Sequence, residues 1–413
     1  MFKVILLNIV CFLSIQIITA QQTLTPENIK SIYFESEDQI LNGIPLIKKG
    51  TPFSFNFDDI NGDEAFYYYK ISHYDYSWNP SDISKINYID GFDNIRISET
   101  ENSYNTLQIY THYKINFPNS NTYSLKLSGN YKIEIYNEDD EFLFSRRFIL
   151  YTNYSNVKVE VKRSRDVKYI NEKQVVNFEI SPNQQLFEPE ENLKTLILKN
   201  NQLDEAILHT KPQYVIGNTF VYKYDQETSF MGGNEYLNFD SKDIRGANVS
   251  INQIELKDIY HHYLFTNRYR ALLPYSYNPD INGNYIIRNI DAYEHDIEAD
   301  YSWVHFNLNI QEMYDKSIYI VGSFNNYELT EINKMNFNRN TNSYQAKILL
   351  KQGFYNYNYI TLSSDDKINP VEISGSFDNT ENEYVVIFYY KGPNDLTDKI
   401  IGIGSANSRN ITN

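Results

Sequence analysis

The sequence predicts an all-β protein made of tandem immunoglobulin-like and early-set β-sandwich domains, three in number. Three observations carry this reading. Aromatic residues make up 15% of the 413 residues, mostly as 38 Tyr and 24 Phe, and such rings suit a half-buried pleated surface. Short runs alternate apolar and polar residues with period two. Asn, Gly and Pro punctuate these runs at turn spacing. No long amphipathic helical pattern interrupts them.

Residues 1–20 read as a cleavable signal peptide. Lys3 supplies the positive start, Val4–Ile18 is mostly apolar, and Ala20 offers a small residue at the cut. A membrane anchor is the poorer reading, because Asn8, Ser14 and Gln16 interrupt the run. Later segments are too polar to span, so no membrane span is expected. Cleavage would remove Cys11, the only cysteine, and with it every disulfide, thiol nucleophile and thiolate metal site.

The first domain is expected over 21–152. Phe53-Ser54-Phe55-Asn56-Phe57 alternates, and so does Leu125-Lys126-Leu127. Tyr131–Tyr136 and Phe142–Leu150 flank an acidic turn and predict a hairpin. The polar break 152–156 closes this unit. Val157-Lys158-Val159-Glu160-Val161-Lys162 then restarts strict alternation, and a second sandwich is expected over 153–297. The acidic stretch Glu294–Asp300 precedes a third unit, expected over 298–396 with strands at Tyr301–Asn309, Ser317–Gly322, Tyr344–Leu350, Gly353–Thr361 and Tyr384–Tyr390. Residues 397–413 read as a frayed tail.

Without residues 1–20 the chain has 36 basic and 53 acidic residues, a formal charge of −17. That argues against nucleic acid and anionic lipid as partners. No catalytic, cofactor or metal site emerges. His73 and His112 lack a third ligand at useful spacing. His261 and His262 are adjacent on a strand, so their rings face opposite ways. Asp280-Ile281-Asn282-Gly283-Asn284 resembles the start of a calcium loop, but its twelfth position is Asp291 instead of Glu. A tight Asn-Gly turn explains it better. Gly402-Ile403-Gly404 lacks the third glycine of a nucleotide fingerprint.

The densest signal is the tyrosine-rich stretch Phe66–Phe92, which also holds Trp78, one of two tryptophans. Tyr67 and Tyr69 share one strand face and Tyr68 takes the other. An outward set of rings would make an interface. Trp78 and Tyr88 are the candidate partner-binding residues.

Several motifs then occur together and in order. They are Phe55-Asn56-Phe57-Asp58-Asp59, Tyr67-Tyr68-Tyr69-Lys70-Ile71, Trp78-Asn79-Pro80-Ser81, Tyr88-Ile89-Asp90-Gly91-Phe92 and Arg146-Arg147-Phe148, followed by Gly232-Gly233-Asn234-Glu235, Asp280-Ile281-Asn282-Gly283 and Leu350-Lys351-Gln352-Gly353. In this series the chain resembles the type IX secretion system plug proteins of the Bacteroidota. The resemblance implies a periplasmic, non-enzymatic subunit that binds the outer-membrane β-barrel translocon and occludes its periplasmic opening. It indicates no cofactor and no homo-oligomer. Ile318–Tyr327 and Lys351–Tyr357 also resemble an early-set sandwich of the glycogen-binding type. Tyr327 stands there where a tryptophan is usual, with only Trp303 near in sequence. An exported carbohydrate-binding module protein is the alternative, and it requires exposed coplanar aromatics on the third unit. A secreted hydrolase would require a cleft with paired carboxylates.

Overall fold

A computed structural model describes residues 25–208 and 210–411; the expected signal peptide lies outside the described residues. The chain is almost all β, with 49% strand and 4% helix. Among the described residues, each of the three α-helices is a single turn of four residues.

Two five-stranded sheets form the first unit. One runs in the order Gln39–Ile40, Ile29–Ser36, Phe53–Asp59, Thr111–Phe117, Glu99–Asn102. The other runs Leu46–Lys48, Phe142–Tyr151, Gly129–Tyr136, Tyr68–Tyr74, Ile95–Arg96. Gly129–Tyr136 and Phe142–Tyr151 pair antiparallel, as the acidic turn between them predicts. Tyr67, Tyr69 and Ile71 enter the core between the sheets, with Phe55, Phe57, Tyr113 and Phe144. Phe57 and Tyr113 stack with centroids 5.0 Å apart, and Tyr67 meets Tyr113 edge-on at 4.9 Å, geometries that aromatic quadrupoles favour.

The strand Phe53–Asp59 is buried on both faces. Its phenylalanines face the core, as the alternation requires. Its other face carries Ser54, Asn56 and Asp58, and part of the third unit covers it. Period two tells which residues share a face; it does not tell what lies over that face.

The second and third units are not consecutive along the chain. Leu193–Lys199 pairs with Glu383–Tyr390, which pairs in turn with Lys399–Asn407. This sheet packs on another made of Ser155–Arg163, Lys173–Pro182, Thr219–Tyr222 and Tyr214–Ile216, around Phe178, Ile197, Tyr222 and Phe388. The chain between these two contributions forms an 11-stranded sheet that starts at Leu237–Asp240 and surrounds Phe239, Phe306, Ile320 and Tyr357. The expected boundaries at 297 and 396 are therefore crossed by strand pairing. The segment expected as a tail is corrected: Lys399–Asn407 is a sheet strand with Ile400 buried. Glu294–Asp300 is corrected too. It holds the helical turn His295–Glu298 and is held against the first unit, with the Tyr104 N–H donating to the Ile297 carbonyl at 2.9 Å. For the boundary at 297 and for Glu294–Asp300 the reason is the same. Local alternation identifies strands, whereas pairing partners 190 residues apart leave no local trace.

Outbound and returning chains brace each other where the second unit meets the third. The Phe377 N–H donates to the Gly233 carbonyl at 2.8 Å, the Thr380 hydroxyl to the same oxygen at 2.7 Å, and the Asn234 amide to the Ser374 carbonyl at 2.7 Å. Buried Glu235 accepts from the Tyr275 hydroxyl at 2.5 Å and the Glu381 N–H at 3.1 Å. A Cβ on Gly232 would overlap the Phe377 carbonyl oxygen, whereas one on Gly217 would meet open space at a φ of +60°. Gly217→Ala should therefore cost about 1 kcal/mol of backbone strain. Gly232→Ala should cost about 2 kcal/mol or more, because two backbones must move apart. Urea-unfolding midpoints of the two variants check the order.

Candidate functional site

The first and third units meet over the polar face of Phe53–Asp59. Asp58 and Lys351 both have 0% side-chain exposure, and their ion pair is 2.7 Å long. Asp58 Oδ2 also accepts from the Tyr301 hydroxyl at 2.6 Å, and Asp58 Oδ1 lies 2.6 Å from His112 Nδ1. Lys351 donates again to the Asp296 carbonyl at 2.5 Å and sits 4.2 Å from the centroid of the Tyr110 ring. Burial alone would raise the Asp58 pKa. The Lys351 charge and the His112 contact outweigh it and hold the carboxyl below its usual range. A buried ion pair is tolerable only when its remaining valences are met, and here they are. Tyr110 adds a bond from its hydroxyl to the Ala299 carbonyl at 2.9 Å, and Asp300 caps the Leu107 and Gln108 N–H groups at 2.8 and 3.1 Å.

Beside this seam opens a cleft of about 1020 Å³ between the two units. One wall is the polar sheet face, with Glu35, Glu99, Glu101, His112 and Lys114; the other is residues 281–297 of the third unit, with Glu294 and Asp296. The cleft gathers carboxylates from both units. The carboxyls pushed up by burial are Asp204, Asp280, Asp300 and Glu383, and none of them lines it. Among the described residues, no group of three or more His, Cys, Asp or Glu could hold a metal ion.

Both sequence-derived interface residues require correction. Trp78 is 9% exposed and Tyr88 5%. Trp78 lies in one apolar cluster with Leu196, Leu198, Val385 and Ile387 of the second unit, with the Arg147 guanidinium 5.0 Å from its ring. It does mediate an interface, but one inside the chain. Tyr88 lies in the core of the first unit, its hydroxyl donating to the Ile71 carbonyl at 3.3 Å. Large rings do face outward nearby. Phe92 is 71% exposed and Tyr123 58%, both on the ribbon that pairs Ile89–Gly91 with Thr122–Leu125. The Phe92 N–H donates to the Asn121 carbonyl at 2.8 Å, and its carbonyl accepts from the Thr122 hydroxyl at 2.7 Å. The ring is thus presented on a fixed backbone.

The histidines have structural surroundings. His73 is buried, shares a hydrogen bond with Ser81 Oγ at 2.8 Å, and is pushed down to about 4 mainly by burial. His262 is buried between Ser302 Oγ and the Ile244 carbonyl, each at 2.9 Å, while His261 faces the other way toward His305 at 2.8 Å. Asp280 closes a turn by accepting from the Asn282 and Tyr236 N–H groups, with φ of +54° at Asn282 and +85° at Gly283. On the third unit, Lys347 covers the Trp303 ring at 4.5 Å, and His305 covers Tyr263 at 4.2 Å. Tyr327 lines the seam with the second unit. The exposed rings of this region are instead Phe265, Tyr277, Tyr293 and Tyr314.

Sequence reasoning missed the Asp58–Lys351 pair. The available signal was a carboxylate inside an aromatic strand, together with the lysine of Leu350-Lys351-Gln352-Gly353.

A family profile described as the type 9 secretion system plug protein 1st domain matches residues 29–152. A solved structure of a hypothetical protein from Parabacteroides merdae superposes with a TM-score of 0.88 at 30% identity, covering 94% of this chain and 98% of that one. Trypsin-activated alpha-2-macroglobulin from Escherichia coli gives a TM-score of only 0.18 at 8% identity, covering 93% of this chain and 23% of that one. No curated protein matches.

Removing one member of the central pair leaves a buried unpaired charge. Lys351→Met should cost about 3–5 kcal/mol, and Asp58→Asn added to it should recover part of that loss. The depressed Asp58 pKa also sets a sign. The stability it contributes is present above the unfolded carboxylate pKa of about 4 and is lost as pH falls through the folded value. Between about pH 5 and pH 3 the wild type should lose more stability than the double variant. Chemical denaturation across that range checks both statements.

Proposed function

The chain belongs to the type 9 secretion system plug protein family, and from that premise we propose that it is a non-enzymatic periplasmic subunit that docks on the outer-membrane β-barrel translocon and closes its periplasmic opening. The observation that carries this reading is the family match over residues 29–152, the sandwich to which the rest of the chain is bound. Occlusion of an aqueous lumen needs bulk that does not yield. The buried Asp58–Lys351 seam ties the third unit to the first. The cluster around Trp78 ties the second unit to the first. Strands 193–199 and 383–390 tie the returning chain into the second unit.

Docking requires exposed anchors, and Phe92 and Tyr123 replace Trp78 and Tyr88 in that role. Aromatic side chains give a large contact area for little conformational entropy and dominate interface energetics. Phe92→Ala or Tyr123→Ala should weaken translocon binding by about 2 kcal/mol, the threshold of a hot spot, and leave thermal stability unchanged. Trp78→Ala should act the other way, lowering stability by about 3–5 kcal/mol as a buried truncation.

The test of function is solute influx through the purified barrel in proteoliposomes, with its lateral exit shut. Influx should fall when this chain is added. Equal influx with and without it would overturn the plug reading.

A further inference from the structure

One sheet of the second unit ends in a strand with an open side. Tyr214–Ile216 pairs with Thr219–Tyr222 and stands last in its sheet, with no strand beyond it among the described residues. The two-residue loop Gly217-Asn218 joins the pair, and Asn218 Nδ2 donates to the Pro182 carbonyl at 2.7 Å. Phe220, Val221 and Tyr222 of the inner strand are buried. The outer strand is therefore carried on a fixed neighbour. Ile216 and Thr219 flank the loop as its closing pair. Hydrogen-bonded and non-bonded pairs alternate along an antiparallel ladder. With the closing pair bonded, Val215 falls at a non-bonded position opposite Phe220, and its N–H and C=O point to the open side.

Open sheet edges invite pairing with another chain, and charged side chains ordinarily guard them. Other edges of this molecule are guarded. Glu99 and Glu101 stand on the edge strand of the first unit, Asp204 and Glu205 on the edge Gln202–Leu208, and Glu255 on the edge Ile251–Leu256. Tyr214–Ile216 has neither a charge nor a proline, and its three side chains are 42%, 46% and 66% exposed. Its residue types are those that favour strands. Such an edge is complementary to an extended backbone: main-chain bonds supply affinity, and alternate side chains supply selection. A second copy of this chain is a poor occupant. A stable interface takes about 20–30 residues a side, whereas this edge offers three. A flexible segment needs no such area when contacts elsewhere tether it.

We propose that Tyr214–Ile216 is a strand-addition edge, to which an extended, uncharged segment of a partner chain with apolar residues at alternate positions adds one strand. The translocon as source of that segment rests on the plug reading; the chemistry of the edge stands apart from it.

The experiment uses the untagged chain and a fluorescently labelled, amidated Ser-Val-Thr-Val-Tyr-Val-Ser peptide, with binding read by anisotropy. The same peptide N-methylated throughout is the control. It keeps the side chains and loses the N–H donors. The plain peptide should bind and slow amide exchange at Val215, and the methylated one should do neither. Val215→Lys places a guarding charge on the edge and should weaken binding about tenfold. Val215→Pro removes the outward N–H at a position where an edge tolerates proline. It should abolish binding with the thermal midpoint kept; if it unfolds the chain, Val215→Lys decides. Gln253→Lys, on the remote edge Ile251–Leu256, should change nothing. Four results would overturn the proposal: no binding, equal binding of both peptides, equal loss in Val215→Lys and Gln253→Lys, or a wild-type dimer in sedimentation that Val215→Lys abolishes. None of these would touch the influx measurement, so the two readings fail separately.

Discussion

Everything in this molecule turns on a charged pair taken wholly out of water. Asp58 sits mid-sheet in the first unit, 293 residues before Lys351 in the third. Desolvating two ions is costly, and their mutual attraction offsets it only with good geometry and full satisfaction of the remaining valences. Tyr301, His112 and the Asp296 carbonyl supply that satisfaction here. No other arrangement of the two units would. A purely apolar seam could slide by a residue at small cost, whereas this seam has one register. The pair therefore acts through specificity of orientation more than through net stabilisation.

The second seam works by different physics. Tyr74, Trp78 and Ile149 of the first unit meet Leu196, Ile387, Tyr389 and Ile400 of the second. Here burial of apolar area supplies the stability, and several polar contacts fix the position, among them the Thr152 hydroxyl donating to the Ile400 carbonyl at 2.7 Å. The Tyr389 hydroxyl donates to Asn130 Oδ1 at 2.7 Å, both residues buried. Because Leu193–Lys199 and Glu383–Tyr390 are apolar on both faces, each serves the core of its own sandwich and the seam at once. Double burial also explains why Tyr384–Tyr390 reads as a continuous apolar run instead of an alternating one.

Legibility in the sequence followed these differences. The all-β class, the hairpin at 131–150 and the shared face of Tyr67 and Tyr69 were readable, since each depends on neighbours within a dozen residues; which face turns inward was not. The Asn-Gly turn at 282–283 was readable for the same reason. The insertion of the third unit between two parts of the second was not, because pairing of 193–199 with 383–390 is a tertiary fact. Trp78 was misread as a surface anchor because ring density resembles an interface signature. It is one, but the partner is the chain's own second unit. The Asp58 seam was half legible: a carboxylate at an alternation position of an aromatic strand is costly unless paired, but nothing local names a lysine so far away.

These contrasts bear on the proposed plug role. The Asp58 network is sealed, with its carboxylate held ionised and its ammonium out of contact with solvent. Its chemistry is spent on holding two units at one angle. A plug would fail by flexing at its joints, and each joint here holds a buried polar contact: Asp58 with Lys351, Asn130 with Tyr389, and Glu235 with Tyr275 at the turn between the second and third units. Buried polar contacts at a joint oppose hinge motion strongly, since opening strands each partner without its bond before water can replace it. The apolar cores build the units, and the polar joints tie them to one another.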